Sequence, residues 1–170
     1  MAVVNAFTAE ETTLGGGTDT GTGVLLDANS QGKLVSGIAK AVIAAADDDA
    51  SVYRLTKVRS SWVPFDITIQ TSAISGGTDY DLGLYNPTVG STTGTVVDKD
   101  ILLDGQTMAS ASTTLNGLGS VPAVSRGQPL WKILGLTTDP QKTYDLALTA
   151  NTVGGQAGNI AVSYQFLTNG

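Results

Sequence analysis

Val63-Pro64-Phe65-Asp66-Ile67-Thr68-Ile69-Gln70, entered through Trp62, carries the clearest periodicity in this chain. Val63, Phe65, Ile67 and Ile69 alternate with Trp62, Asp66, Thr68 and Gln70. A period of two places the apolar set on one side of a pleated strand and turns the other side to water. Pro64 has no N–H for a ladder, so this strand should begin there or lie at a sheet edge. The alternation returns in Tyr80, Leu82 and Leu84, against Asp79, Asp81 and Gly83. It recurs in Tyr144, Leu146 and Leu148, and in Ile160, Val162, Tyr164 and Phe166; residues 51–58 are a further candidate. Turn chemistry separates the runs: Asp47-Asp48-Asp49, Gly76-Gly77, Asn86-Pro87, Asp104-Gly105, Asn116-Gly117, Asp139-Pro140 and Gly154-Gly155. Short strands so punctuated predict an all-β sandwich or barrel.

Two segments break the pattern. Leu130-Trp131-Lys132-Ile133-Leu134 has helical spacing, with Pro129 suited to a first helical position and Gly135 to the exit, which predicts one short helix. Residues 34–46 are ambiguous. Leu34, Val35, Ile38, Ala39, Val42, Ile43 and Ala46 fall on an i, i+4 grid, and the alanines favour a helix. Asp47, Asp48 and Asp49 oppose it, because they would meet the negative end of the helix dipole.

The length, 170 residues, is that of one domain, and the apolar fraction of 41% is enough to build a core without disulfides or metal. Only 14% of residues are charged, against roughly 25% in an average protein, while Gly and Thr are abundant. There is no Cys and no His. That removes thiol chemistry, the usual zinc sites, imidazole bases and the Ser-His-Asp triad, so an enzyme is not expected. Residues 1–32 hold four acids and no base; 33–59 hold five bases and three acids; 60–170 hold eight acids and four bases. With a net charge of −6 and no basic stripe, nucleic-acid binding is not expected. The first base is Lys33 and the longest apolar run is Ala41–Ala46, so neither a secretory signal nor a membrane span is expected and the chain reads as soluble. The Gly/Thr-rich stretch at residues 12–23 has no periodicity, so residues 1–32 read as a flexible arm with Phe7, Leu14, Val24, Leu25 and Leu26 as candidate anchors, and 33–170 as the folded domain.

Candidate chemistry is thin. The glycines at 15–23 match neither phosphate-loop spacing. Asp47-Asp48-Asp49 could hold a hard cation, but such a run is more often a solvated turn. Asp98, Asp100 and Asp104 lead into Gly105, yet Leu102 and Ala109 occupy positions where a calcium loop needs oxygen ligands. Asp79 and Asp81 share a strand face and could suggest a hydrolase pair, but they read better as a solubilising outer face. Trp62, Trp131, Tyr53, Tyr80, Tyr85 and Tyr164 could form a sugar platform, although aromatics in an all-β domain more often belong to the core. No cofactor or metal is expected.

A longer set of motifs points to a family. Ala44-Ala45-Ala46-Asp47-Asp48-Asp49-Ala50-Ser51-Val52-Tyr53-Arg54-Leu55 leads into Gly76-Gly77-Thr78-Asp79-Tyr80-Asp81-Leu82-Gly83-Leu84-Tyr85. Val96-Val97-Asp98, Arg126-Gly127-Gln128-Pro129-Leu130-Trp131, Leu134-Gly135-Leu136 and Tyr144-Asp145-Leu146 follow. This order resembles small structural proteins of tailed bacteriophages, the capsid decoration or cement proteins, over about residues 33–167, leaving out the loop at 86–95. The resemblance implies a jelly-roll-like antiparallel β-sandwich with one short helix and an extended N-terminal arm, and a strand from Lys33 to Ala46. It implies a place on the exterior of the virion capsid after synthesis in the bacterial cytoplasm. The implied partners are the major capsid protein and further copies of the chain, as a homo-dimer or homo-trimer at symmetry axes. A carbohydrate-binding or fibre/adhesion module on the virion surface is the competing expectation.

Overall fold

The computed structural model describes residues 33–89 and 94–168. The expected arm, with Phe7, Leu14, Val24, Leu25 and Leu26, lies outside the described residues. Eight strands run in chain order: β1 (Lys33–Ile43), β2 (Ser51–Arg59), β3 (Val63–Thr71), β4 (Asp79–Tyr85), β5 (Val96–Gln106), β6 (Ser112–Asn116), β7 (Thr143–Thr152) and β8 (Gly158–Thr168). They form two four-stranded sheets ordered β1-β8-β3-β6 and β2-β7-β4-β5. Every pairing is antiparallel, and the first strand pairs with the last, the second with the seventh, the third with the sixth and the fourth with the fifth. This nested order is a long strand pair rolled up on itself, the jelly roll. The expected fold class is the observed one.

Alternation fills the space between the sheets. Ile67, Ile69, Ile160, Val162 and Phe166 from one sheet meet Val58, Leu82, Leu84, Leu146 and Leu148 from the other, all fully buried. Each such side chain contributes about 1.5–3 kcal/mol by leaving water. Tyr80 also lies inside, where its hydroxyl donates to the Val153 carbonyl at 2.8 Å. Burial, helped by Asp47 and Asp49, pushes that hydroxyl up to about 12.

The ambiguous segment is a strand, and its geometry explains why it looked helical. Four residues is nearly one helical turn and also an even number of strand steps, so an i, i+4 grid suits both. Val35, Ala39 and Ile43 face inward along β1, while Leu34, Ile38 and Val42 face outward at 51%, 68% and 69% exposure. Gly37 favours the strand, because Tyr164 on β8 occupies the space its side chain would need.

Two other expectations are corrected. Phe65 does not join the core. A bulge between Pro64 and Asp66 takes it out of the ladder and leaves it 62% exposed. The strand does begin at Val63, as the missing Pro64 N–H requires, but it is interior to its sheet. Asp104-Gly105 is not a turn between strands; it lies inside β5, with Gly105 at φ +65°. β5 and β6 had no sequence expectation.

The short helix is present as α1 (Leu130–Ile133), with Pro129 at the cap rather than in the first turn. Its first two amides donate to the Trp62 and Ser60 carbonyls at 2.9 and 3.0 Å, pinning it across the β2–β3 turn.

The tightest constraint is at Gly83. Between Leu82 and Leu84 on β4, the partner register jumps from Leu103 to Asp98, so the intervening β5 residues arch out of the ladder. A Cβ on Gly83 would collide with the Asp98 and Lys99 backbone. Gly83→Ala should cost about 1–3 kcal/mol, lowering the thermal midpoint by roughly 3–10 °C. Gly155→Ala, where a Cβ meets nothing within 4 Å, should change stability by no more than about 0.5 kcal/mol. Equal midpoints for the two variants would refute the crossing.

Candidate interaction surface

The two outer faces of the sandwich differ in kind. On β2-β7-β4-β5, residues that alternate with the core should meet solvent, yet Asp81, Tyr85, Asp145, Ala147 and Thr149 are all buried. The arch of β5 over Gly83 covers part of them, and a polar network binds it down. Lys99 lies 3.3 Å from Asp81 and donates to Asn151 at 2.7 Å. Asn151 donates in turn to Asp79 and Asp81, and the Gly105 amide donates to the second Asp81 oxygen at 2.9 Å. Arg54 pairs with Asp145 at 2.6 Å, donates to the Asn86 and Gly94 carbonyls, and lies 5.3 Å from the Tyr85 ring centroid. The Tyr85 hydroxyl bonds Thr149 at 2.7 Å.

This corrects the expectation that Asp79 and Asp81 form a solubilising face. Both Asp81 oxygens are committed to donors of the same chain, so Asp81 is a tie for β5 and not a free acid. No buried side-chain polar atom among the described residues lacks a partner. At the start of the arch, burial and the neighbouring Asp100 hold the Asp98 carboxyl above the usual range.

The acidic turn is the solvated connection expected between strands, and two of its carboxylates bond within the chain. Asp47 accepts from the Ala44 amide at 2.8 Å and the Tyr53 hydroxyl at 2.7 Å, while Asp49 accepts from the Val153 amide. The three carboxylates are not gathered around a point, and no group of three candidate metal ligands occurs among the described residues. The proposed aromatic platform is dispersed as well. Tyr80 and Tyr85 are buried; Trp62, Tyr53 and Tyr164 pack against the core; Trp131 lines a cleft.

Among the described residues, nothing covers the outer face of β1-β8-β3-β6. Across it, Ile38 stands opposite Ser163, Ser163 opposite Thr68, and Thr68 opposite Asn116. Neighbouring rows carry Gln165, Ala161 and Gln70, with Lys40 and Asp66 as the charges. Leu34, Ile38 and Val42 stand exposed along the outward side of β1 with Ser36 and Lys40 between them, and the far edge of β1 has no partner strand among the described residues. Phe65 adds a fourth exposed apolar group. A row of unpaired backbone groups beside exposed aliphatic side chains is a template for another chain.

The Tyr53 hydroxyl and the Ala44 amide, in that order, hold the Asp47 carboxyl below its ordinary value of 3.8. A lowered folded-state value stabilises the fold above the ordinary value, and the contribution is lost as pH falls through the depressed one. Tyr53→Phe should therefore be less stable than the parent at neutral pH, with the difference shrinking as Asp47 protonates. Melting curves from pH 7 to pH 2 check this; a constant offset would contradict it.

No protein-family model matches the chain, and no curated protein matches it. A chain in the capsid of Ralstonia phage GP4 has a similar fold, with a TM-score of 0.56 and 11% identity over 82% of this chain and 87% of that one. A chain in the cyanophage Pam1 capsid asymmetric unit aligns over 81% of this chain and 86% of that one, at 13% identity and a TM-score of 0.47. At such identities the likeness is one of fold.

Proposed function

We propose that this chain is a structural protein of a tailed-phage virion, a decoration or cement protein that binds the capsid exterior and bridges neighbouring major capsid subunits. The observation that carries the reading is the open face of β1-β8-β3-β6, with Leu34, Ile38, Val42 and Phe65 exposed on an almost uncharged sheet. The jelly-roll likeness to a chain of the GP4 capsid supports it, as does the network that commits Asp81 to holding β5.

The mechanism is mechanical. Packaged DNA presses a shell outward, and the seams between coat subunits are its weak points. A rigid sandwich that lays its open face on the coat adds interface across a seam. Interfaces below about 1,200 Å² are weak singly. Two or three copies joined at a symmetry axis engage together, and effective concentration then makes modest contacts durable. Residues 1–32, anchored by Phe7, Leu14, Val24, Leu25 and Leu26, extend the footprint along the shell or onto a neighbouring copy, with their ordering cost met on docking. No nucleic acid, membrane or cofactor takes part, and the chain is made in the bacterial cytoplasm before joining the virion.

Protein stoichiometry on purified particles tests the role directly. The chain should be present in a fixed ratio to the coat subunit, and particles stripped of it should lose resistance to heat. Its absence from mature heads, or equal heat resistance without it, would overturn the proposal. Ile38→Glu should lower affinity for bare capsids by roughly 10- to 100-fold, the equivalent of one buried aliphatic side chain, with the thermal midpoint of the free protein preserved. Because the contact is apolar, binding should survive molar salt, where screening acts beyond about 3 Å. Deleting residues 2–30 should weaken shell binding and leave the sandwich folded; unchanged affinity would remove the arm from the mechanism.

A further inference from the structure

A second site lies at the end of the sandwich where α1 crosses the β2–β3 turn. A cleft of about 720 Å³ opens there, lined among others by Arg59, Ser61, Trp131, Asp139, Gln141 and Lys142. The volume falls within the roughly 300–1,000 Å³ typical of small-molecule sites. Its composition is unusual for such a site. No aliphatic side chain lines it, and the one large apolar surface is the Trp131 indole.

The walls are fixed by backbone. Trp131 is held through its amide, which donates to the Ser60 carbonyl at 3.0 Å, and through its carbonyl, which accepts from Leu136 at 3.0 Å. Opposite, the Ser60 hydroxyl donates to Asp139 at 2.5 Å, and the Gln141 amide donates to the same oxygen at 2.8 Å. The Lys142 amide donates to the Ser60 hydroxyl, and the Ser60 amide to the Lys142 carbonyl. Gln141 is kept at φ +52°, a left-handed backbone that non-glycine residues seldom adopt. Such outliers cluster where a site needs a particular shape.

The charge runs against that of the chain. In a protein of net charge −6, the cleft carries Arg59 and Lys142, and neither forms an ion pair among the described residues. Lys132 is not part of the lining; its ammonium lies over one side of the Trp131 ring, 5.4 Å from the centroid. Asp139, the carboxylate of the cleft, already accepts two internal hydrogen bonds through one oxygen. A low-lying cleft with surplus cations concentrates anions.

We infer that this cleft binds an acidic saccharide, with the sugar ring against Trp131 and its carboxylate between Arg59 and Lys142. An indole offers a flat surface to the C–H side of a sugar, while the surrounding amide, hydroxyl and carboxylate groups suit its hydroxyls. An acidic peptide can be held by cationic side chains alone and has no use for a flat indole, so Trp131 in the lining favours the sugar. The inference gives the carbohydrate expectation a location and a ligand class, and it does not rest on the capsid role.

The test uses the full chain labelled with ¹⁵N. It has two tryptophans, so Trp131→Phe identifies the Trp131 indole N–H signal. Trigalacturonate should shift that signal with a dissociation constant of about 0.1–1 mM, and uncharged maltotriose should bind at least about tenfold more weakly. The Arg59→Ala/Lys142→Ala double variant, altered only at exposed side chains, should lose at least about tenfold in affinity at an unchanged thermal midpoint. Silence of the signal at roughly 20 mM trigalacturonate, full binding by the double variant, or equal binding of hexaglutamate would each overturn the inference.

Discussion

The crossing of β5 over Gly83 is the contact on which the surface of this molecule depends. A two-sheet sandwich has four faces, and its own core buries two of them. The β5 arch covers much of a third. With no side chain at position 83, the β5 backbone can pass over the outward side of β4. Lys99, Asn151, Asp81 and the Gly105 amide then fasten it. The result, among the described residues, is a sandwich with one protected outer face and one uncovered one. Asymmetry of this kind suits a protein that must lie on something while showing its other side to solvent.

How far the sequence could be read follows from the same geometry. Core strands were legible wherever alternation was strict: Tyr80, Leu82 and Leu84, or Tyr144, Leu146 and Leu148, all point inward as their period requires. β1 resisted because a spacing of four belongs to both periods. Folded as a helix, its paired apolar positions would have formed one stripe. As a strand they divide, with Val35, Ala39 and Ile43 inward and Leu34, Ile38 and Val42 outward. The ambiguity of the pattern and the exposure of the outward set therefore have one cause.

The outer polar layer was illegible for a different reason. Asp79 and Asp81 have the alternation of a solvated face, and only the arch makes Asp81 an interior group. Nothing local to β4 announces that β5, about twenty residues later, will fold across it. Gly83 was the available signal, a glycine at an outward position in an otherwise good strand, which often marks close approach of another backbone. β5 escaped notice because Asp98, Lys99 and Asp100 interrupt any apolar period. Phe65 was misplaced because a bulge shifts the phase of a strand without changing its composition. The cleft was only half visible. Trp131 was one of six aromatics weighed as a sugar platform, but Arg59 and Lys142 are more than eighty residues apart, and the β2–β7 ladder unites them.

The open face and the cleft are separable in physical terms. The face carries little charge and exposes aliphatic groups along β1, so the attraction those groups supply comes from surface removed from water and is insensitive to moderate salt. The cleft is a charge site in an acidic protein, so its attraction is Coulombic and falls as ions screen it. They also use different parts of the fold. The face belongs to strands β1, β8 and β3, whereas the cleft belongs to the β2–β3 turn, α1 and the approach to β7. A ligand in the cleft therefore leaves the outward side of β1 uncovered, and a partner there leaves Trp131 accessible. One small sandwich can then hold a surface with one side and meet a soluble or tethered anion at its end, with neither contact displacing the other.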